Sequence, residues 1–274
     1  MRKFGQIIFF IPMIMGCTSM KNLYLSEVKK ELTKHPSDKR AFITEKEIAA
    51  LPEPVQKYFR HCGYLGKEKM INAEIQWKEA YLKMAPDKKW IRLKCYQFNS
   101  IPEPVRIVYM KTSILGIFPF EGRDKYQDGH GNMLIKLLKG IKVADAKGKE
   151  MDASALVTLL AEALIIPAYA FQPYLQWTEI DSNTAKAVMH YHETEVSGLF
   201  YFNAQGEMVR FETHDRYYSE RGKEYKKLKW SILFSHYIEK NGIRFPSEVK
   251  VLWHTDQGDF EYFKGTIANI QYNK

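Results

Sequence analysis

Glu162 is the residue whose surroundings point most directly to chemistry, because it is the one charged side chain between Ala153 and Thr178. On a helix its neighbours would be Ala155, Thr158, Leu159, Ile165 and Ile166, so the carboxylate would emerge among apolar groups. A buried carboxylate either takes up a proton, which is how many general acids arise, or finds donors and a cation. In the first case Glu162 is an acid/base and Arg216 holds an anion. In the second, an arginine such as Arg123, Arg210 or Arg216 pairs with it and fixes the helix in place.

Two other groupings carry titratable side chains. His190 and His192 are two apart on a predicted strand and share a face, with His214 further along. Zinc needs three or four converging ligands, so these two make a weak metal site, and two partly exposed histidines beside Glu193 and Glu195 is the simpler reading. Asp124, Asp128 and His130 surround Gly129 and Gly131, where carboxylates commonly bond the backbone of a turn; acid/base or metal chemistry is the alternative. The ligand spacing of a calcium loop is missing. No GxSxG, HExxH, GxGxxG or Walker loop occurs, which leaves only triads assembled from distant positions. No cofactor is expected.

The elements that must place these residues are mostly strands. From Met70 the pattern has period two, with candidate strands Ile71 to Tyr81, Lys89 to Phe98, Val105 to Lys111, Ile117 to Tyr126, Met133 to Leu138 and Ile141 to Ala146. A helix follows over 153–166, capped by Asp152 and ended by Pro167. Further strands are expected at Ala185 to His192, Leu199 to Asn203, Met208 to Tyr218, Tyr225 to Tyr237, Ile243 to Trp253 and Phe260 to Tyr272. Short turns such as Asn241-Gly242 make successive strands antiparallel neighbours. Open twisted sheets rarely exceed about ten strands, so one of about eleven must curl or close. The fold class is therefore mainly β, α+β: a curved antiparallel sheet or incomplete barrel wrapped around one apolar helix. Thr44 with Glu47 has capping-box spacing, and Pro52 to Pro54 opens a second short helix that stops at Gly63.

Composition fits one globular domain over 44–274: 45% hydrophobic, 27% charged and 14% aromatic, with no apolar run long enough to span a bilayer. At the amino terminus Arg2 and Lys3 precede an apolar stretch from Phe4 to Met15, the outline of a signal peptide over 1–16. Ile14-Met15-Gly16-Cys17 resembles the bacterial lipobox, with Met15 standing where a small residue is usual. Cys17 is then the lipidation site, and 17–43, polar and lysine-rich, is a loose helix or tether. The expected protein is exported and lipid-anchored in the cell envelope, facing the periplasm. Loss of Arg2 and Lys3 from 41 basic residues, with all 32 acidic ones retained, leaves a net charge of +7. That balance suits anionic headgroups; without a clustered basic stripe, nucleic acid is not an expected partner. Cys62 and Cys95 read as two buried thiols, with a disulfide as the alternative.

Across Thr44 to Asn273 the chain resembles an uncharacterised bacterial family. The likeness runs through Leu51-Pro52-Glu53-Pro54-Val55, Asp124-Lys125-Tyr126 with Gly129 and Gly131, Glu162 with Pro167, Trp177, Arg216-Tyr217, and Trp253 with Gly258, Phe260 and Tyr262. The inferred architecture is also similar to the LolA/LolB-like lipoprotein-carrier fold, which implies a cavity for acyl chains. The first functional expectation is thus a hydrophobic or amphipathic ligand, lipid included, held between sheet and helix by Leu159, Glu162, Ile166, Phe171 and Trp177. An envelope enzyme using Glu162 and a non-catalytic interaction module are the alternatives.

Overall fold

The computed structural model describes residues 19–35, 41–114, 117–220 and 224–274. The signal peptide expected over 1–16 and the expected lipidation site Cys17 lie outside the described residues. Among those described, no helix is long and apolar enough to cross a membrane.

Among the described residues three helices come first: α1 (Met20–Lys34), α2 (Glu45–Ile48) and α3 (Glu53–His61). The capping box forms as its spacing requires, with the Thr44 hydroxyl accepting from the Glu47 N–H and the Glu47 carboxylate accepting from the Thr44 N–H. Then follow β1 (Asn72–Leu82), β2 (Ile91–Ser100), β3 (Val105–Ile114), β4 (Phe118–Gln127), β5 (His130–Leu137) and β6 (Ile141–Ala146). After α4 (Lys149–Ala161) and a 3-10 turn (Pro167–Phe171) come β7 (Leu175–Asp181), β8 (Thr184–Tyr191), β9 (Thr194–Phe202), β10 (Met208–Tyr218), β11 (Lys226–Lys240), β12 (Ile243–Thr255) and β13 (Gly258–Tyr272).

Among the described residues the sheet has thirteen strands rather than about eleven, ordered β6-β5-β4-β3-β2-β1-β13-β12-β11-β10-β9-β8-β7, all neighbours antiparallel. β7 escapes a pattern reading because Leu175 and Trp177 continue the apolar run that precedes them. The sheet curls into a half-barrel, as the contacts of α4 require: the helix touches β4 and β5 near one end of the strand order and β8, β9 and β10 near the other. The rings of Tyr126 on β4 and Tyr191 on β8 lie 6.4 Å apart across this closure. Two hairpin turns meet beside them, where Asp128 and Gly129 take the left-handed conformation and Gly129 abuts His192.

The plug is shorter at its carboxyl end than its sequence implies. α4 stops at Ala161, and 162–166 turn into the 3-10 segment, yet every residue from 161 to 170 is buried. Asp152 does not cap the helix. Its carboxylate accepts the Gly131 N–H at 2.7 Å, tying α4 to the start of β5. Gly131 is a glycine of close approach: a Cβ there would collide with the Met151 carbonyl and stand 2.9 Å from the Ala155 Cβ. Gly131→Ala is expected to cost about 1–3 kcal/mol through overpacking, measured by urea unfolding. Wild-type stability in that variant would mean that α4 is not seated against β5.

Within the segment read as a loose helix or tether, residues 20–34 form a helix on the outer face. Met20, Tyr24 and Val28, four residues apart, form an apolar stripe against Phe98, Val105, Ile107 and Tyr109, while the lysines face water. Glu27 on the same helix accepts from Arg123 at 2.7 Å and Lys125 at 3.0 Å. A stripe this narrow is hidden in composition by the basic residues around it.

Candidate functional site

Alternation along β2 and β3 sends Gln97, Asn99 and Arg106 inward, and all three meet the Glu162 carboxylate at the end of α4. Gln97 Nε2 and Arg106 Nε donate to Oε1 at 3.0 and 2.9 Å, and Asn99 Nδ2 donates to Oε2 at 3.0 Å. Arg106 Nη1 also donates to Asp124 Oδ2 at 2.8 Å, so one guanidinium bridges two carboxylates. Burial works against the Arg106 charge, but Glu162 and Asp124 outweigh it and hold the guanidinium above the usual arginine range. Glu162 is 7% exposed with both oxygens engaged. The cluster locks helix to sheet.

The arginine in this lock is Arg106, none of Arg123, Arg210 or Arg216. Arg123 points to the outer face and α1, and Arg210 stacks on Tyr201 with Glu212 at 3.5 Å. Arg216 does hold α4, by another route. Its Nη1 donates to the Ser154 carbonyl at 2.5 Å and to Thr158 Oγ1 at 2.6 Å, with the guanidinium over the Trp230 ring. Arg106 stands between Val105 and Ile107, and only the register of β3 brings it to Glu162.

The histidines do not converge. His190 is an exposed strand residue, and His192 leaves β8 for a left-handed turn where its ring packs on Tyr191. Asp124 is inside on Arg106, while Asp128 occupies a turn and His130 is exposed beside Asp152. His130, His192 and Asp128 do line one cleft of about 1000 Å3 at the amino end of α4. Its basic residues, Arg123, Lys125, Lys147, Lys149 and Lys227, are matched by Asp128, Asp152, Glu193, Glu195 and Asp215. No group of three or more metal-ligating side chains forms among the described residues.

A relay that no local motif announces does appear on the outer face. Ser231 Oγ lies 2.7 Å from His254 Nε2, and His254 Nδ1 lies 2.7 Å from Asp259. The order is that of a nucleophile, base and orienting acid. Ser231 is 1% exposed, however, so no acyl substrate reaches its hydroxyl in this conformation. Cys62 and Cys95 are separate thiols, both pushed up to about 12 by burial.

Of the proposed ligand contacts, Leu159 and Ile166 are solid core at 0% exposure. Phe171 and Trp177 border a shallow groove of about 320 Å3 with Leu51 and Leu175. The register uncovers a different apolar surface. Beyond the Glu162 lock, the inner face continues as two cross-strand rows: Cys95, Met110, Gly122, Ile135 and Ala144, then Thr112, Phe120, Leu137 and Ile141. Met110, Phe120, Ile135 and Leu137 are half-buried and belong to neither the main core nor the α1 interface.

Residues 41–265 match a family described as of unknown function, DUF6544. The chain belongs to DUF6544. The motifs from Leu51 to Val55 through Trp253 to Tyr262 all fall within the matched span. No curated protein matches the chain. It is similar to the crystal structure of a LolA superfamily protein from Nitrosomonas europaea, at 8% identity over 85% of this chain and 94% of that one, with a TM-score of 0.44.

Proposed function

We propose that this DUF6544 protein is a membrane-tethered envelope lipoprotein, anchored through Cys17 after loss of residues 1–16 and facing the periplasm. Its half-barrel holds the apolar part of an amphipathic ligand, of which a lipid acyl chain is the simplest. The observation that carries the ligand is the pair of apolar rows ending in Phe120, Leu137 and Ile141. A strand face with one side against water would carry polar residues there, and an apolar concave surface fits a ligand better than solvent. The acid/base reading of Glu162 has less support, because its oxygens are engaged by Gln97, Asn99 and Arg106.

Native and denaturing mass spectrometry of protein purified gently from a bacterial envelope tests both halves. Wild type is expected to carry a covalent acyl mass that Cys17→Ala loses, and a non-covalent lipid that both carry. Phe120→Asp with Ile135→Asp should lose the non-covalent lipid. Folded wild type with no bound lipid would remove the ligand; an unmodified Cys17 would remove the tether.

A further inference from the structure

We propose that the end of the half-barrel formed by the β1–β2, β3–β4 and β5–β6 hairpins is a membrane-contact surface that rests on an anionic bilayer. The inference depends on the tether half of the reading above and needs no ligand. Antiparallel pairing through β1 to β6 puts these three turns at one end of the sheet. Met84, Ile117, Phe118, Leu138, Ile141 and Val143 stand out there, from 41% exposed at Phe118 to 72% at Ile117. Grouped apolar side chains of this kind mark an interaction surface.

Charge selects the partner. Segments 83–94, 111–114, 117–121 and 136–145 carry nine basic residues against three acidic ones, six of the nine excess positive charges of the whole chain. Apolar tips ringed by lysine suit the boundary between acyl chains and anionic headgroups. Addition of a foreign strand to the β6 edge fits less well. β6 has only six residues, its register shifts beside Lys136, and it carries Lys142, all features that blunt an edge.

The direction of α1 agrees. Lys34 lies 3.3 Å from Glu103, just ahead of β3, whereas Tyr24 meets Tyr109 well along that strand. The helix therefore runs antiparallel to β3, with its amino terminus toward the β3–β4 turn. Ser19, the cap of α1, therefore lies toward that same end, and Cys17 is two residues earlier in the sequence. An anchor there would bring the apolar tips to the bilayer, and the apolar rows of the inner face open beside them.

The test is vesicle co-sedimentation of the full chain carrying Cys17→Ala, so that no acyl group contributes. Vesicles of phosphatidylcholine alone are compared with vesicles containing phosphatidylglycerol. Binding is expected only to the anionic vesicles and to weaken with salt. Lys88→Gln, Lys89→Gln and Lys142→Gln together should reduce it about 100-fold, at roughly fivefold per lost charge near the surface. Ile117→Asp with Ile141→Asp should reduce it at least about tenfold, with circular dichroism unchanged because both positions are exposed. Wild-type binding in both variants would overturn the surface and assign binding to the apolar segment 4–15. A dimer in sedimentation that Ile141→Asp abolishes, with no vesicle binding, would overturn it in favour of a second copy. Vesicle binding without co-purified lipid keeps this surface and removes the ligand; lipid-loaded protein that ignores vesicles does the reverse.

Discussion

Arg106→Met is expected to lower the unfolding free energy by about 3–5 kcal/mol, measured by urea denaturation. The methionine fills similar space but leaves Glu162 and Asp124 facing each other without their shared cation. Glu162 would keep two amide donors, Gln97 and Asn99, which satisfy its oxygens without neutralising them. Glu162→Gln should cost less, about 1–3 kcal/mol, because Arg106 retains Asp124 while the new amide presents donors to donors. Adding Glu162→Leu to Arg106→Met should recover part of the loss, since the double variant buries one charge fewer. A small effect of Arg106→Met would show that the cluster is wet and open, which would restore Glu162 as a chemical candidate.

Leu159→Ala is expected to cost about 2–5 kcal/mol, the transfer energy of the lost atoms plus the cavity they leave. Leu159 is wholly buried on α4 in the main core. A side chain lining a ligand chamber would behave differently: truncation would alter ligand retention and leave the unfolding midpoint of the empty protein nearly unchanged. Thermal unfolding with and without co-purified lipid separates the two. Phe120→Ala on the half-buried inner row should show the opposite balance, with little loss of stability and a larger loss of bound lipid.

The period-two runs, the Gly-containing turns and the all-apolar segment after Asp152 were enough to read an antiparallel sheet curled around a helix, because alternation and the need to bury an apolar surface are local facts. The isolation of Glu162 in that segment likewise pointed to a buried carboxylate. Its partner was not legible. Arg106 is 56 residues away, and whether it faces Glu162 or water turns on the register of β3, which one residue of slip would reverse. The same limit hid the Ser231, His254 and Asp259 relay, which spans three strands, and the apolar rows, whose members lie on up to five. It also separated His190 from His192, since a left-handed turn removed the second from its strand.

What the amino-acid order determined alone is the class of fold and the buried position of the helix after Asp152, each a matter of composition and period. Only the tertiary structure decided that Arg106 closes the lock on Glu162, that 20–34 docks on the outer face and that three basic, apolar hairpin turns share one end. Those outcomes depend on strand register and on curvature summed over thirteen strands, and neither quantity is carried by any single segment.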